Sequence, residues 1–416
     1  MDTIPVGLTD LAQYLSCRIH DYDRPKIEKI EATMRYSGLR TLSRHTMLAI
    51  AHVACSRKRF QRLPPEFGLS EKAIKALMVH DKANSGAVGA APRSEKGALS
   101  MKSEDLRKPE QPDGDATVKG FLVLSRLPFL LPGLAALTTG ILIAVSQGYD
   151  PSYGLVWMSI IGIMFIMLAT YYFNEYFDYE GDIINKTFIK FSGGSRALPD
   201  NMVPRPVARL AGYSSVIVLL AIAIIYLIYY FKDYPLLLPL GLFGAFCGLF
   251  YSHPPFRWAY HGIGEILIGG CYGVLQMISG FYLVSGVLDL KMLLVGLPAS
   301  ITIFLVIVAN EFPDYQADKA VNKRNLIVRL GLPKGSKMYA AVMMLAYPSM
   351  LATIAVDMSP WIAIAGLPVL VLSLMTTALT LKGGYDKPSV QTKISGATLL
   401  ANLLSSLMFI PVVFIW

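Results

Sequence analysis

Two stretches of this chain set acids and amides at helical spacing. "FNEYFDYEGD" (173–182) carries Asn174, Asp178 and Asp182, and "NEFPDYQAD" (310–318) carries Asn310, Asp314 and Asp318. Residues four apart on an α-helix share a face, about 6 Å apart along the axis. Each trio therefore forms one polar stripe. Four carboxylates and two amides around a shared space repel one another unless they are solvated, paired or bridged by a cation. Mg2+ suits an all-oxygen set of this kind, because it accepts few carboxylates and keeps other positions for water and phosphate oxygens. Cations crowd the same neighbourhoods: "NKTFIKFSGGSR" (185–196) follows the first stripe and "DKAVNKRNLIVRLG" (318–331) ends the second. Acids, bases and a Gly-Gly turn together suit a diphosphate. Taken singly, either stripe reads equally well as a solvated helix end. The repetition of one spacing favours a site.

The elements that position these stripes are membrane helices. The chain has 416 residues and is 54% hydrophobic, with a mean hydropathy of +0.47, more apolar surface than one soluble core buries. Apolar segments near 121–146, 153–174, 207–231, 235–251, 263–286, 291–311, 338–357, 359–381 and 395–415 each approach the ~20 residues that cross ~30 Å of hydrocarbon. The expected fold is all-α, a multi-pass membrane protein with about nine transmembrane helices around a central cavity. Connections after the even-numbered spans hold fifteen Lys and Arg and the opposite ones two. That bias predicts a cytoplasmic N-terminus, an external C-terminus and both stripes on the cytoplasmic side of a cell membrane. The net charge of +9 is thus a topological signal, and no nucleic-acid partner is expected. Cys17, Cys55, Cys247 and Cys271 show no metal or disulfide spacing, and no signal peptide opens the chain.

Ahead of the spans, residues 1–84 form an expected cytoplasmic segment, helical or partly disordered. It has a basic amphipathic stretch at 42–60 and a helix over 69–81 with Ser70 as N-cap. Residues 85–117, rich in Gly, Ser, Pro and charge, read as a flexible linker, and 118–416 as the membrane domain. Met101 opens a polar lead into that domain, so residues 1–100 are either an accessory segment or dispensable.

With nine spans, N-x-x-x-D-x-x-x-D on the second and an Asp-rich end on the sixth, residues 121–416 resemble the UbiA superfamily of intramembrane prenyltransferases. "FSGGSRALPDNMVPRPVARLAG" and "YSHPPFRWAYHGIGEI" (251–266) are similar to the menaquinone-type branch, which prenylates 1,4-dihydroxy-2-naphthoate. The resemblance implies Asn174, Asp178, Asp182, Asp314 and Asp318 as metal ligands, with Asn310 alongside where many members carry Asp. Asn174, Asp178 and Asp314 would be the catalytic set. Lys186, Arg196, Lys323 and Arg324 would bind diphosphate. The partners implied are a polyprenyl diphosphate and an aromatic acceptor, with Mg2+ as cofactor and the lipid bilayer as solvent.

That chemistry needs a dry, cation-tolerant cavity, for which Tyr171, Tyr172, Phe173, Tyr251 and Tyr272 offer ring faces. For any one of these rings, packing or an interfacial belt is the commoner role. Glu265 is an expected intramembrane carboxylate, for the acceptor or for a structural hydrogen bond, and Tyr251 joins it as a substrate-binding candidate. His253 and His261 are expected at the interface, and Glu175 and Glu180 in solvent. Competing readings are prenyl transfer to 4-hydroxybenzoate, a phenazine, a porphyrin-type alcohol or glycerol phosphate, and, from another class, a cation-coupled transporter. Transporters place their ionisable groups near the midplane, whereas here they cluster at one face.

Overall fold

A computed structural model of the chain describes residues 117–415, together with a two-residue antiparallel strand pair, β1 (Thr3–Ile4) and β2 (Leu42–Ser43). The chain divides into two units, Met1–Asp105 and Leu106–Trp416. The helices expected at 42–60 and 69–81 and the linker at 85–117 lie outside the described residues. The exceptions are Leu42 and Ser43, which pair with Thr3–Ile4, and Thr117, which caps the first helix.

The second unit is helical wherever it has regular structure. Its helices are α1 (Val118–Leu124), α2 (Leu131–Ser146), α3 (Tyr153–Ile184), α4 (Arg205–Tyr229), α5 (Leu237–Leu249), α6 (Gly264–Gly270), α7 (Gln276–Ser285) and α8 (Lys291–Ala320). Then follow α9 (Leu326–Leu330), α10 (Leu332–Met343), α11 (Ala346–Ala352), α12 (Ile362–Ala365), α13 (Leu367–Leu381), α14 (Pro388–Leu407) and α15 (Phe409–Ile415). Several join end to end, so that among the described residues eight helical segments are long and apolar enough to cross a membrane. The ninth apolar helix, α5, has 13 residues. This is a multi-pass membrane protein, and the segments read from the sequence are the ones that form helices.

Packing is closest where side chains vanish. A Cβ added at Gly140 on α2 would strike the Met277 carbonyl oxygen, and one at Gly280 on α7 would strike that of Leu137. Two helix backbones touch there, as small residues permit inside a bilayer, where no hydrophobic drive pulls helices together. Around this crossing Leu137, Ile141, Met277, Phe281 and Val295 belong to the largest buried apolar cluster among the described residues.

Two helices overshoot the bilayer, and these carry the stripes. The 32 residues of α3 and 30 of α8 extend about 45 Å at 1.5 Å per residue, so their last turns stand beyond ~30 Å of hydrocarbon. Pro313 lies inside α8 and cannot donate to the carbonyl of Ala309. The Gln391 side chain on α14 donates to that carbonyl instead, at 2.5 Å, which lets the helix run on to Asp318.

Candidate active site

The ends of α3 and α8 line one cavity of about 150 Å³ with all six stripe residues: Asn174, Asp178, Asp182, Asn310, Asp314 and Asp318. Each stripe faces inward because its neighbours at other helical angles are committed elsewhere. Tyr172 and Phe173 are buried in packing, with the Phe173 ring seated on Gly212 of α4.

Most of the acids have protein partners. Asp178 accepts from Asn174 Nδ2 at 2.8 Å, from the Tyr260 hydroxyl at 3.0 Å and from Lys323 Nζ at 2.9 Å. The same ammonium lies 3.6 Å from Asp318 Oδ1, and Asn325 Nδ2 donates to Asp318 Oδ2 at 2.7 Å. Asp314 accepts from Asn185 Nδ2 at 2.7 Å and from the Gly193 amide at 3.1 Å. Burial alone would depress the Lys323 ammonium, but the carboxylates of Asp178 and Asp318 outweigh it and hold its pKa well above the ordinary lysine value. Burial, with Asp178 next, raises that of Tyr260, so its hydroxyl stays a donor.

The Gly-Gly turn ties the two stripes together. Gly193 and Gly194 take φ of +73° and +72°, a left-handed conformation that glycine adopts without penalty. A side chain on Gly194 would run into the Asp182 carboxylate. One turn therefore follows α3 and donates to α8.

Sequence reasoning missed Arg126. It breaks the first span with a left-handed φ of +45° and lines the cavity, where its Nε donates to Glu175 Oε1 at 2.7 Å. Glu175, expected in solvent, is buried at 1% exposure and also accepts from the Ser195 amide at 2.6 Å. The reason is electrostatic: a buried carboxylate needs a partner, and Arg126 supplies it. An arginine inside the apolar run "FLVLSRLPFLLPG" was the readable signal. Glu180 is exposed and pairs with Arg205.

Of the four expected basic residues, Lys323 enters the cavity. Lys186 and Arg324 are exposed. Arg196 turns aside, donating to the Asp182 carbonyl at 2.5 Å and to Asp200 at 3.0 Å. Tyr171, Tyr251 and Tyr272 line the cavity, and burial raises the pKa of Tyr251. Glu265 is buried outside the lining and accepts from the Leu326 amide at 2.8 Å. Glu311, unforeseen, does line the cavity and accepts from the Ile327 amide at 3.3 Å. His253 sits among Phe173, Phe177 and Phe250, and His261 is exposed.

A hard divalent cation fits this donor set. The lining offers carboxylate and amide oxygens, and Asn310 Oδ1 is buried with no hydrogen-bond partner. Among the described residues no three His, Cys, Asp or Glu side chains already converge closely enough to hold a metal ion. Between Asp178 and Asp318 stands an ammonium.

A second cavity of about 320 Å³ adjoins the first, sharing Thr170, Ile268 and Tyr272. It runs along α3 from Thr170 to Met158, about 18 Å at helical rise, between α4 and α5, and its walls are overwhelmingly apolar.

Long apolar helices surround an acidic, lysine-bearing cavity, with an apolar groove directly beside it. Residues 133–404 match the UbiA prenyltransferase family, and the chain belongs to it. It is 25% identical over 208 residues to the 1,4-dihydroxy-2-naphthoate octaprenyltransferase of Bacillus subtilis (strain 168), covering 50% of this chain and 65% of that protein. It is 27% identical over 140 residues to the 2-carboxy-1,4-naphthoquinone phytyltransferase of a Synechocystis species, covering 33% of this chain and 45% of that one. Both matches thus span less than two thirds of the relative. The solved structure of a UbiA homolog from Archaeoglobus fulgidus bound to GPP and Mg2+ shares the fold, with a TM-score of 0.50 at 16% identity, covering 70% of this chain and 100% of that one. Residues 10–65 separately match a family described as nitrous oxide-stimulated promoter.

Proposed function

We propose that this chain transfers a polyprenyl group from an allylic polyprenyl diphosphate to an aromatic acceptor, 1,4-dihydroxy-2-naphthoate in the reading favoured here. The observation that carries the proposal is the adjacency of the acidic cavity and the apolar groove, which share Thr170, Ile268 and Tyr272 as walls and so suit a charged head joined to a long hydrocarbon tail. Family membership supports the reaction class, and the naphthoate and naphthoquinone relatives support the acceptor.

Asn174, Asp178 and Asp182 from α3 and Asp314 and Asp318 from α8 are the assigned ligands of Mg2+, with Asn310 beside them. Bound there, the ion supplies Lewis-acid neutralisation of the departing diphosphate. The chain's own part begins with Lys323, which offsets the remaining oxygen charge. Tyr171, Tyr251 and Tyr272 line the head cavity with ring faces suited to a developing allylic cation. The allylic C–O bond breaks and its electron pair leaves with the diphosphate. A ring carbon of the acceptor then forms the new C–C bond, and the ring loses a proton to regain aromaticity. Apolar walls keep water from quenching the cation. Residues 118–416 are the catalytic domain in this reading, with the N-terminus and the site on the cytoplasmic side of the cell membrane, as the lysine and arginine bias supports.

The test is purified protein with a polyprenyl diphosphate, Mg2+ and a panel of acceptors: naphthoate, 4-hydroxybenzoate, a phenazine, a porphyrin-type alcohol and glycerol phosphate. Transfer to the naphthoate is expected; transfer to another member alone replaces the acceptor, and transfer to none refutes the reading.

The groove gives a separate expectation about chain length. Gly241 on α5 lines it, and no heavy atom lies within 4 Å of where its Cβ would stand. Gly241→Leu thus adds bulk to the groove without disturbing a helix contact. Turnover of a long polyprenyl diphosphate should fall about tenfold, within the range that a few methylenes decide in an apolar pocket. Turnover of a ten-carbon substrate should hold. Equal losses for both lengths would show that the tail lies elsewhere.

A further inference from the structure

We infer that Lys323 is a tethered cation occupying the metal position between the two stripes, so that a divalent ion binds weakly until a diphosphate takes the ammonium. The inference rests on the prenyltransferase reading for the identity of the ligands. Its basis is geometric. The ammonium bridges Asp178 of α3 and Asp318 of α8 at 2.9 and 3.6 Å, with its side chain 18% exposed.

The loop holding it is pinned on both sides. The Arg324 amide donates to the Tyr260 carbonyl at 3.2 Å. Asn325 accepts from the Val328 amide at 2.8 Å, capping α9, while its Nδ2 holds Asp318. The backbone is fixed, and the free movement belongs to the four-carbon stem of the lysine.

An ammonium and a divalent ion cannot share Asp178 and Asp318 in a buried cavity, because like charges at contact distance repel strongly where screening is poor. A metal alone must therefore displace the ammonium from both carboxylates, while the other acids of the cavity are assigned to the metal, as Asp182 is, or already accept from protein donors, Asp314 from Asn185 and Glu311 from the Ile327 amide. A diphosphate supplies an uncommitted anion: its oxygens take the ammonium, and both carboxylates become free for the metal. Metal and diphosphate then bind with positive coupling, and the coupling is reciprocal. Without diphosphate, Lys323 keeps the four acids from repelling one another, so Lys323 both positions the carboxylates and sets the order of assembly.

The experiment titrates Mg2+ into the full chain in nanodiscs, with and without inorganic diphosphate, reading calorimetric affinity and thermal unfolding. Free Mg2+ is corrected for its complex with diphosphate. Wild type should bind Mg2+ at least about tenfold more tightly in the presence of diphosphate. Lys323→Met should bind Mg2+ alone about tenfold more tightly than wild type and show correspondingly weaker coupling. Lys323→Arg should retain it. If Lys323→Met does not fold, wild type and Lys323→Arg still decide: equal Mg2+ affinity with and without diphosphate overturns the inference. A Lys323→Met protein whose Mg2+ affinity is unchanged or weaker also overturns it. Intact coupling in a protein that prenylates no acceptor on the panel leaves the inference standing and refutes the reading beneath it.

Discussion

Asp178→Asn should lower kcat by about a hundred- to a thousandfold, on the scale of removing one group that stabilises charge in a transition state. The position is demanding because three donors meet there, from Asn174, Tyr260 and Lys323. The amide keeps the shape but loses the charge and turns one oxygen into a donor facing donors. Lys323 then retains Asp318 alone. The fold should survive, since the buried carboxylate faces the cavity rather than a helix crossing. The measurement is prenyl transfer under saturating Mg2+ and substrate, with thermal unfolding as the control for folding. Turnover within threefold of wild type would sink the metal assignment at this position, and Asp314→Asn provides the same test from the other stripe.

Gly280→Leu should cost about 3 kcal/mol or more, the upper end of what overpacking a core exacts. The added side chain would meet the carbonyl of Leu137, a backbone group that cannot rotate away. Relief requires α2 and α7 to separate, which opens the largest apolar cluster. Loss of a monodisperse peak in size-exclusion chromatography, or a melting point lowered by several degrees, is the expected readout. Gly241→Leu is the matched control, because open space surrounds that position. Equal stability of the two variants would show that the α2–α7 contact does not carry the fold.

The stripes were legible because four-residue spacing is a property of one helix, and each helix continues across its stripe, α8 through Pro313. The membrane class and nine apolar segments were legible from hydropathy for the same local reason. What stayed hidden was pairwise in three dimensions. Glu175 sits off its stripe and reads as solvated on a helical wheel, yet a broken first span brings Arg126 to it and the loop after α3 brings the Ser195 amide. The loop cations were a matter of count, and only the direction of each side chain separates Lys323 in the cavity from Arg196 turned toward Asp200. Glu265 read as a lone intramembrane acid because its partner is a backbone amide 61 residues away, which no side-chain pattern announces.

The short helix α5 has a consequence for the bilayer itself. Its 13 residues cover about 20 Å, against ~30 Å of hydrocarbon. Lipids beside a helix too short for them thin locally, at a fraction of a kcal/mol per Å. The thinned ring of lipid borders the loop from Tyr251 to Tyr260, which forms part of the cavity wall. Headgroups and water drawn inward at that wall shorten the apolar path from the bilayer surface to the acidic cavity. The same helix also walls the apolar groove, so the length of one short element sets the depth at which both cavities meet the lipid.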